Sequence, residues 1–184
     1  MVRVAILCGQ SNMAGGSQPL DDTAWPRPWL DMTSVTDAPN TAWKGLKMPS
    51  EGGLGVQAGV AEVLQAVYPD DQIAIVKVSQ GATGISYWTE PDGAGHKALM
   101  ASLAAAKARL EAQVASGEIK GFQFVGFFYM QGENEMDAWN TASTKLYFEY
   151  FHRLVAAVRK TTGNPALPVI VGRTGIYYAA STIR

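Results

Sequence analysis

The sequence is short of the residues that most often carry chemistry. It has one cysteine, Cys8, so no internal disulfide can form. It has two histidines, His96 and His152, and with a single cysteine these exclude a zinc site of the usual His/Cys type. Charged side chains make up 17% of 184 residues and leave a formal net charge of -1, with no basic run longer than two. That composition leaves no electrostatic footprint for nucleic acid or an anionic membrane. No apolar stretch approaches the roughly 20 residues that span a bilayer. The opening "MVRVAILCGQ" has too short an apolar run for a signal peptide and reads as a strand. These absences predict a soluble protein without metal, organic cofactor, nucleic acid or membrane partner, and leave its compartment open.

What is present is a generous apolar fraction, 47%, enough for one domain with a sizeable core. Four nearly continuous apolar runs read as buried strands: Val2–Cys8, Gln72–Ser79, Phe122–Met130 and Pro168–Thr174. Continuous rather than alternating runs favour a parallel sheet covered on both faces. Helical patterns lie between them. Gln57–Tyr68 carries Val60, Val63, Leu64 and Val67 on one stripe, and Pro69 stops it. Lys97–Ser116 carries Leu99, Leu103, Leu110 and Val114. Thr144–Thr162 carries Tyr147, Phe151, Leu154, Val155 and Val158, and ends before Gly163 and Pro165. Strand–helix–strand repetition predicts a three-layer α/β/α sandwich. Two segments read as irregular: Ser17–Gly55, with five prolines and Trp25, Trp29 and Trp43, and the shorter Trp88–His96.

In an open parallel sheet, ligands bind beyond the carboxyl ends of the strands. Those ends read "GQSNMAG", "SQGATGISYW", "MQGENE" and "GRTGIYY". Ser11 lies where a helix would begin, so it is either the cap of that helix or a nucleophile facing the amides of Asn12 and Met13. Gly9-Gln10-Ser11 starts like the elbow G-x-S-x-G, but Met13 occupies the second glycine's place. Gly81 would let the backbone approach a ligand, or simply turn the chain. Gln131 could donate an amide to an oxyanion, and Glu133 could orient a histidine. Each could equally be a polar strand end meeting solvent. Glu135 and Asp137 add negative charge, yet Glu133 and Glu135 share one short loop, too close in sequence to argue for paired-carboxylate glycosidase chemistry. Gly53–Gly59 is a spoiled dinucleotide fingerprint with no strand before it. Cys8, at the end of an apolar strand, reads as a buried structural thiol.

Together, "GQSNMAG", "VSQGATGISYW", "FFYMQGENE" and "LPVIVGRTG" resemble, in order and over nearly the whole chain, the blocks of the SGNH hydrolase superfamily. The branch they resemble is the sialate O-acetylesterase-like group, which includes carbohydrate esterase family six, the acetylxylan esterases. The resemblance implies a flavodoxin-like sandwich and a serine esterase that removes acetyl groups from carbohydrate through an acetyl-enzyme on Ser11. It implies an oxyanion hole from the N–H of Ser11 and of Gly81 with the Gln131 side chain. Glu133 would support the catalytic histidine or hold the loop. The blocks depart from the family's pattern at Tyr129-Met130, where Trp-Tyr is frequent, at Ala82, where a second glycine is common, and at Glu135, where aspartate is usual.

The family's histidine comes from a D-x-x-H block after a further strand, and 1–184 contains no such block in that place. Glu149-Tyr150-Phe151-His152 mimics it, but on a helical wheel His152 lies about 110° from the centre of its stripe, on a helix that packs away from the strand ends. His96 leaves the correct edge of the sheet, although a loop histidine near a helix start is more commonly exposed or capping. The expectation is therefore one SGNH-like domain, incomplete at its C-terminus, whose histidine is supplied by a companion segment. Two other readings keep the fold: a non-catalytic glycan-binding module, in a larger or viral assembly, using the tryptophan-rich 17–55 segment, and a thioesterase or lipase.

Overall fold

A computed structural model of the chain describes residues 1–15, 30–34, 44–45, 56–89, 92–137 and 141–174. Its centre is the strand predicted first, β1 (Val2–Gly9). Isoleucine, valine and leucine on both faces of a strand are stable only with cover on both sides. β1 is flanked in parallel by β4 (Gln72–Ser79) and β5 (Phe122–Met130). With β2 (Leu30–Ser34), β3 (Lys44–Gly45) and β6 (Val169–Val171), the sheet runs β3-β2-β4-β1-β5-β6. β3 alone is antiparallel to its neighbour. Counted along the chain, the five parallel strands lie in the order 2-3-1-4-5, so the third, not the second, shares its edge with β1.

Two apolar clusters form the outer layers' contacts. On one face Val2, Val4, Ile6, Cys8, Ala74, Val76 and Val78 pack under α3 (Ala94–Ala115) and α5 (Thr141–Thr162). On the other, Ala5, Leu7, Ile73 and Ile75 pack with Met13 and with Ala61 of α2 (Gln57–Val67). The result is the expected α/β/α sandwich. β5 pairs Phe124 with Val4 but Gly126 with Ala5, which skips Val125. Accordingly the buried face of β5 switches from Phe122 and Phe124 to Phe127 and Tyr129.

Several expectations need correction. Within Ser17–Gly55 the chain supplies strands β2 and β3, β2 lying parallel to β4. Leu30-Asp31-Met32-Thr33-Ser34 has no apolar run, so its pairing leaves little trace in hydropathy. The rest of that segment, including Trp25, Trp29 and Trp43, lies outside the described residues, as do Gly53 to Gly55 of the glycine motif. The fourth run shortens to Val169–Val171, and Ile170 and Val171 are exposed, because β6 is an edge with one neighbour. On α2 the buried residues are Gln57, Ala58 and Ala61, with Val60 and Leu64 packed beside them. Val63 and Val67 face solvent at 63% and 61% exposure. Small alanines let the helix sit close to the sheet, which rotates the larger valines outward. α3 keeps Leu99, Leu103 and Leu110 wholly buried, each contributing about 1.5–3 kcal/mol, while Val114 lies towards solvent. Trp88–His96 is more ordered than expected. Ile85–Trp88 forms a 3-10 turn that buries Trp88 completely, and α3 starts at Ala94.

Candidate active site

The registers place Gly9, Ser79 and Met130 side by side at the carboxyl edge. The Gln10 N–H donates to Met130 O at 3.1 Å, and the Gln80 N–H donates to Gly9 O at 3.1 Å. These bonds carry the ladder to the point where the chain turns into α1 (Ser11–Ala14). Ser11 is the first residue of α1 and is exposed, and its hydroxyl makes no hydrogen bond among the described residues. It is not the cap: that position belongs to Gln10, whose side chain makes no capping bond. Met13, the residue that spoils the elbow motif, is buried in the cluster under α2. It anchors the turn by packing where an elbow would use a glycine. From the other end, the buried Lys77 ammonium donates to Ala14 O at 2.9 Å and to Gln57 Oε1 at 2.7 Å.

The four residues singled out in the sequence do converge. Among the described residues, a methyl group on Gly81 would have one neighbour within 4 Å, Ser11 Cβ at 3.7 Å, so the Gly81 backbone stands beside Ser11. Glu133 opens α4 (Glu133–Asp137), and its Oε1 accepts a hydrogen bond from Asn12 Nδ2. Its Oε2 is buried with no hydrogen-bond partner among the described residues. Gln131 is buried, but its amide is committed elsewhere: Nε2 donates to Thr83 O at 3.1 Å and to Glu135 Oε2 at 2.6 Å. In this arrangement Gln131 holds the loop after β4 and has no N–H left for an oxyanion.

Tyr147 donates to Gln131 O at 2.7 Å and Tyr129 donates to Gln131 Oε1 at 3.2 Å. Burial, before any charge effect, pushes the Tyr147 phenol up to about 12 and raises Tyr129 well above its ordinary range. Both tyrosines therefore remain neutral donors at neutral pH. The Cys8 thiol, wholly buried, is likewise pushed up by desolvation, which leaves it protonated and inert.

The histidines are less favourable. His152 is exposed on α5. His96 is buried in the first turn of α3, not an exposed loop residue as expected, because the helix begins before it. The side chain of Asn12 and the network around Glu135 escaped the sequence reading. Asn12 stood inside a quoted motif, but its bond to Glu133 spans 121 positions. Among the described residues no group of three or more His, Cys, Asp or Glu could hold a metal ion. No helix among them is long and apolar enough to cross a membrane.

Known proteins give the site a context. No curated protein sequence matches the chain. The solved structures that share its fold include three at low identity. One is a protein from Arabidopsis thaliana, 19% identical with a TM-score of 0.65, covering 92% of this chain and 72% of that one. NanS is 19% identical with a TM-score of 0.70, covering 96% and 68%. A carbohydrate acetylesterase from Xanthomonas citri is 20% identical with a TM-score of 0.60, covering 91% and 40%. At such identity these likenesses speak for the fold alone. The family described as carbohydrate esterase, sialic acid-specific acetylesterase matches residues 1–182. With a parallel α/β/α sandwich of the SGNH esterase type and a match over almost every residue, the chain belongs to this family of carboxylic ester hydrolases, which act on acetylated carbohydrate.

Proposed function

We propose that the protein is a serine esterase that removes O-acetyl groups from a sugar of the acetylxylan or sialate type, with Ser11 as nucleophile. The observation that carries this reading is the exposed Ser11 at the start of α1, set against the Gly81 backbone at the end of the central strands. The family description and the carbohydrate acetylesterase among the structural neighbours support the substrate class.

In the proposed reaction Ser11 Oγ attacks the acetyl carbonyl carbon while a histidine takes its proton. The carbonyl oxygen becomes an oxyanion that accepts hydrogen bonds from the Ser11 and Gly81 N–H groups. Collapse breaks the bond to the sugar oxygen, which leaves with the proton returned by the imidazolium. Water then repeats the sequence on the acetyl-enzyme and releases acetate. Glu133 suits the supporting role: Asn12 fixes one of its oxygens, and the other is buried beside the nucleophile with an acceptor site to offer an imidazole N–H. His152 is exposed on α5 and His96 is buried in the first turn of α3, so the proposed reaction takes its histidine from a companion segment.

The test uses the protein expressed from its whole reading frame, with p-nitrophenyl acetate, acetylated xylo-oligosaccharide and O-acetylated sialic acid as substrates. Ser11→Ala is expected to abolish turnover of all that the parent cleaves, by about 10³-fold or more, without altering the urea midpoint. Undiminished turnover in Ser11→Ala refutes the assignment. A rate that rises from acetyl to longer acyl chains would point to a thioesterase or lipase instead.

A further inference from the structure

We propose that Glu135 is a positioning residue for ester hydrolysis: with Gln131 it clamps the backbone between Gln80 and Ile85 so that the Gly81 N–H is held beside Ser11. The proposal rests on Ser11 being the nucleophile, and goes beyond it by assigning a task to a carboxylate that touches no reacting atom.

The clamp is built from opposite sides of the site. Glu135 is 7% exposed, and each of its oxygens meets a different segment. Oε1 accepts the Ile85 N–H at 2.5 Å, and Oε2 accepts from Gln131 Nε2 at 2.6 Å. The same Gln131 nitrogen donates to Thr83 O at 3.1 Å. Residues 83 and 85 are thus gripped by one carboxylate–amide pair, and the two tyrosine hydroxyls fix Gln131 from behind. Hydrogen bonds to a carboxylate are stronger than those between neutral groups, so this grip exceeds ordinary loop contacts.

The loop is fixed from its own side as well. Thr83 Oγ1 donates to Gln80 O at 2.8 Å and accepts from the indole N–H of the buried Trp88 at 3.1 Å. Gly81 lies inside the turn those bonds close. Next to it, Ala82 has φ of +56°, a left-handed conformation that crowds an alanine's Cβ against the following carbonyl oxygen. Such a conformation persists where surrounding contacts over-determine it. Gly84 fits against the clamp so closely that a methyl group there would lie 2.8 Å from Glu135 Oε1 and 3.2 Å from Asn134 Nδ2. Among the described residues, the side-chain bonds that fix the turn around Gly81 therefore lead to Gln131, Glu135 or Trp88, and the Gln80 N–H bond to Gly9 O ties its start to β1. Misplacing an oxyanion donor by about 1 Å costs roughly 10²-fold in rate, because the donor must meet the oxygen where charge develops.

Two variants of the whole protein test this. Glu135→Gln keeps size and shape, but whichever way its amide turns, an N–H group meets either the Ile85 N–H or the Gln131 amide. Gly84→Ala leaves the carboxylate's chemistry intact and displaces it. For each, kcat and KM for p-nitrophenyl acetate are measured well below the melting temperature. The inhibition constant of methylboronic acid, whose serine adduct mimics the tetrahedral intermediate, is measured beside them. The expected result is a fall in kcat of about 10–100-fold, KM within about threefold, and weaker boronate binding by a factor similar to the loss in kcat. A role confined to folding would lower the melting temperature and leave kcat and boronate binding of the folded enzyme unchanged. That result, with Ser11→Ala inactive, overturns the proposal and leaves the nucleophile in place. Undiminished turnover in Ser11→Ala overturns both.

Discussion

Replacing Gly9 with alanine probes how tightly the turn that carries Ser11 is built. A methyl group at Gly9 would fall 1.9 Å from Met130 O, 2.7 Å from the Met130 carbonyl carbon and 3.1 Å from Met13 Cβ. The first two obstacles are main chain, so no rotamer change relieves them. Gly9 also has φ of +154°, a region an alanine rarely adopts. The strand ends of β1 and β5 must separate, which sacrifices the Gln10–Met130 hydrogen bond. Overpacking costs about 1–3 kcal/mol, the hydrogen bond about 1 kcal/mol, and residual backbone strain about 1–3 kcal/mol. A loss of about 4 kcal/mol is expected against a total stability of roughly 5–15 kcal/mol. With a urea slope of about 2 kcal/mol/M, the unfolding midpoint should drop by about 2 M. Urea titration followed by tryptophan fluorescence measures this, with Gly81→Ala for contrast. There the nearest atom would be Ser11 Cβ at ordinary contact distance, so the midpoint should hardly move. A drop for Gly9→Ala below about 0.5 M at unchanged slope would refute the steric reasoning.

Other expectations concern backbone strain and titration. Ala82→Gly relieves the positive φ at some cost in chain entropy and should raise stability by up to about 1 kcal/mol, or about 2–4 °C in Tm by calorimetry; a lowered Tm would contradict it. Asp71 is held below its ordinary value of 3.8 by hydrogen bonds from Arg3 and from the chain's amino group. Its contribution is present above that unfolded value and lost as pH falls through the folded one, so Asp71→Asn should flatten the stability curve below about pH 4. An unaltered acid limb tells against this pair. The Tyr147 phenol, raised to about 12, contributes stability that is full below its unfolded value near 10 and is lost as pH rises towards 12. Tyr147→Phe should remove that part of the alkaline limb and about 1 kcal/mol of hydrogen bonding to Gln131 O. Ultraviolet titration of a parent tyrosine band missing from the variant checks it, and a Tyr147 transition near 10 would be inconsistent.

β1, β4 and β5 were legible because a strand buried on both faces must be apolar throughout. Ser11, Gly81 and Glu133 were legible as neighbours because parallel strands release their loops at one edge. β2 was not, since a pairing made by main-chain groups leaves no signature in Leu30-Asp31-Met32-Thr33-Ser34. Val63 and Val67 misled because helical period alone does not say which of two apolar stripes meets the sheet. The Glu135 clamp was beyond reach for a related reason. Its partners are the Ile85 N–H and, through Gln131, the Thr83 carbonyl, groups that every non-proline residue possesses.

The skipped Val125 gives β5 a phase. A strand shows its side chains alternately, so one additional residue inverts every later position. Upstream of it Phe122 and Phe124 face α3 and α5; downstream Phe127, Tyr129 and the adjoining Gln131 do. Were Val125 paired with Ala5 instead of skipped, everything from Phe127 onward would face the other way. Gln131 would then turn towards the α2 side, out of reach of Thr83 and Glu135. The bulge, about 16 Å from the serine at 3.3 Å per residue, thus determines which way the carboxyl edge of the sheet is wired.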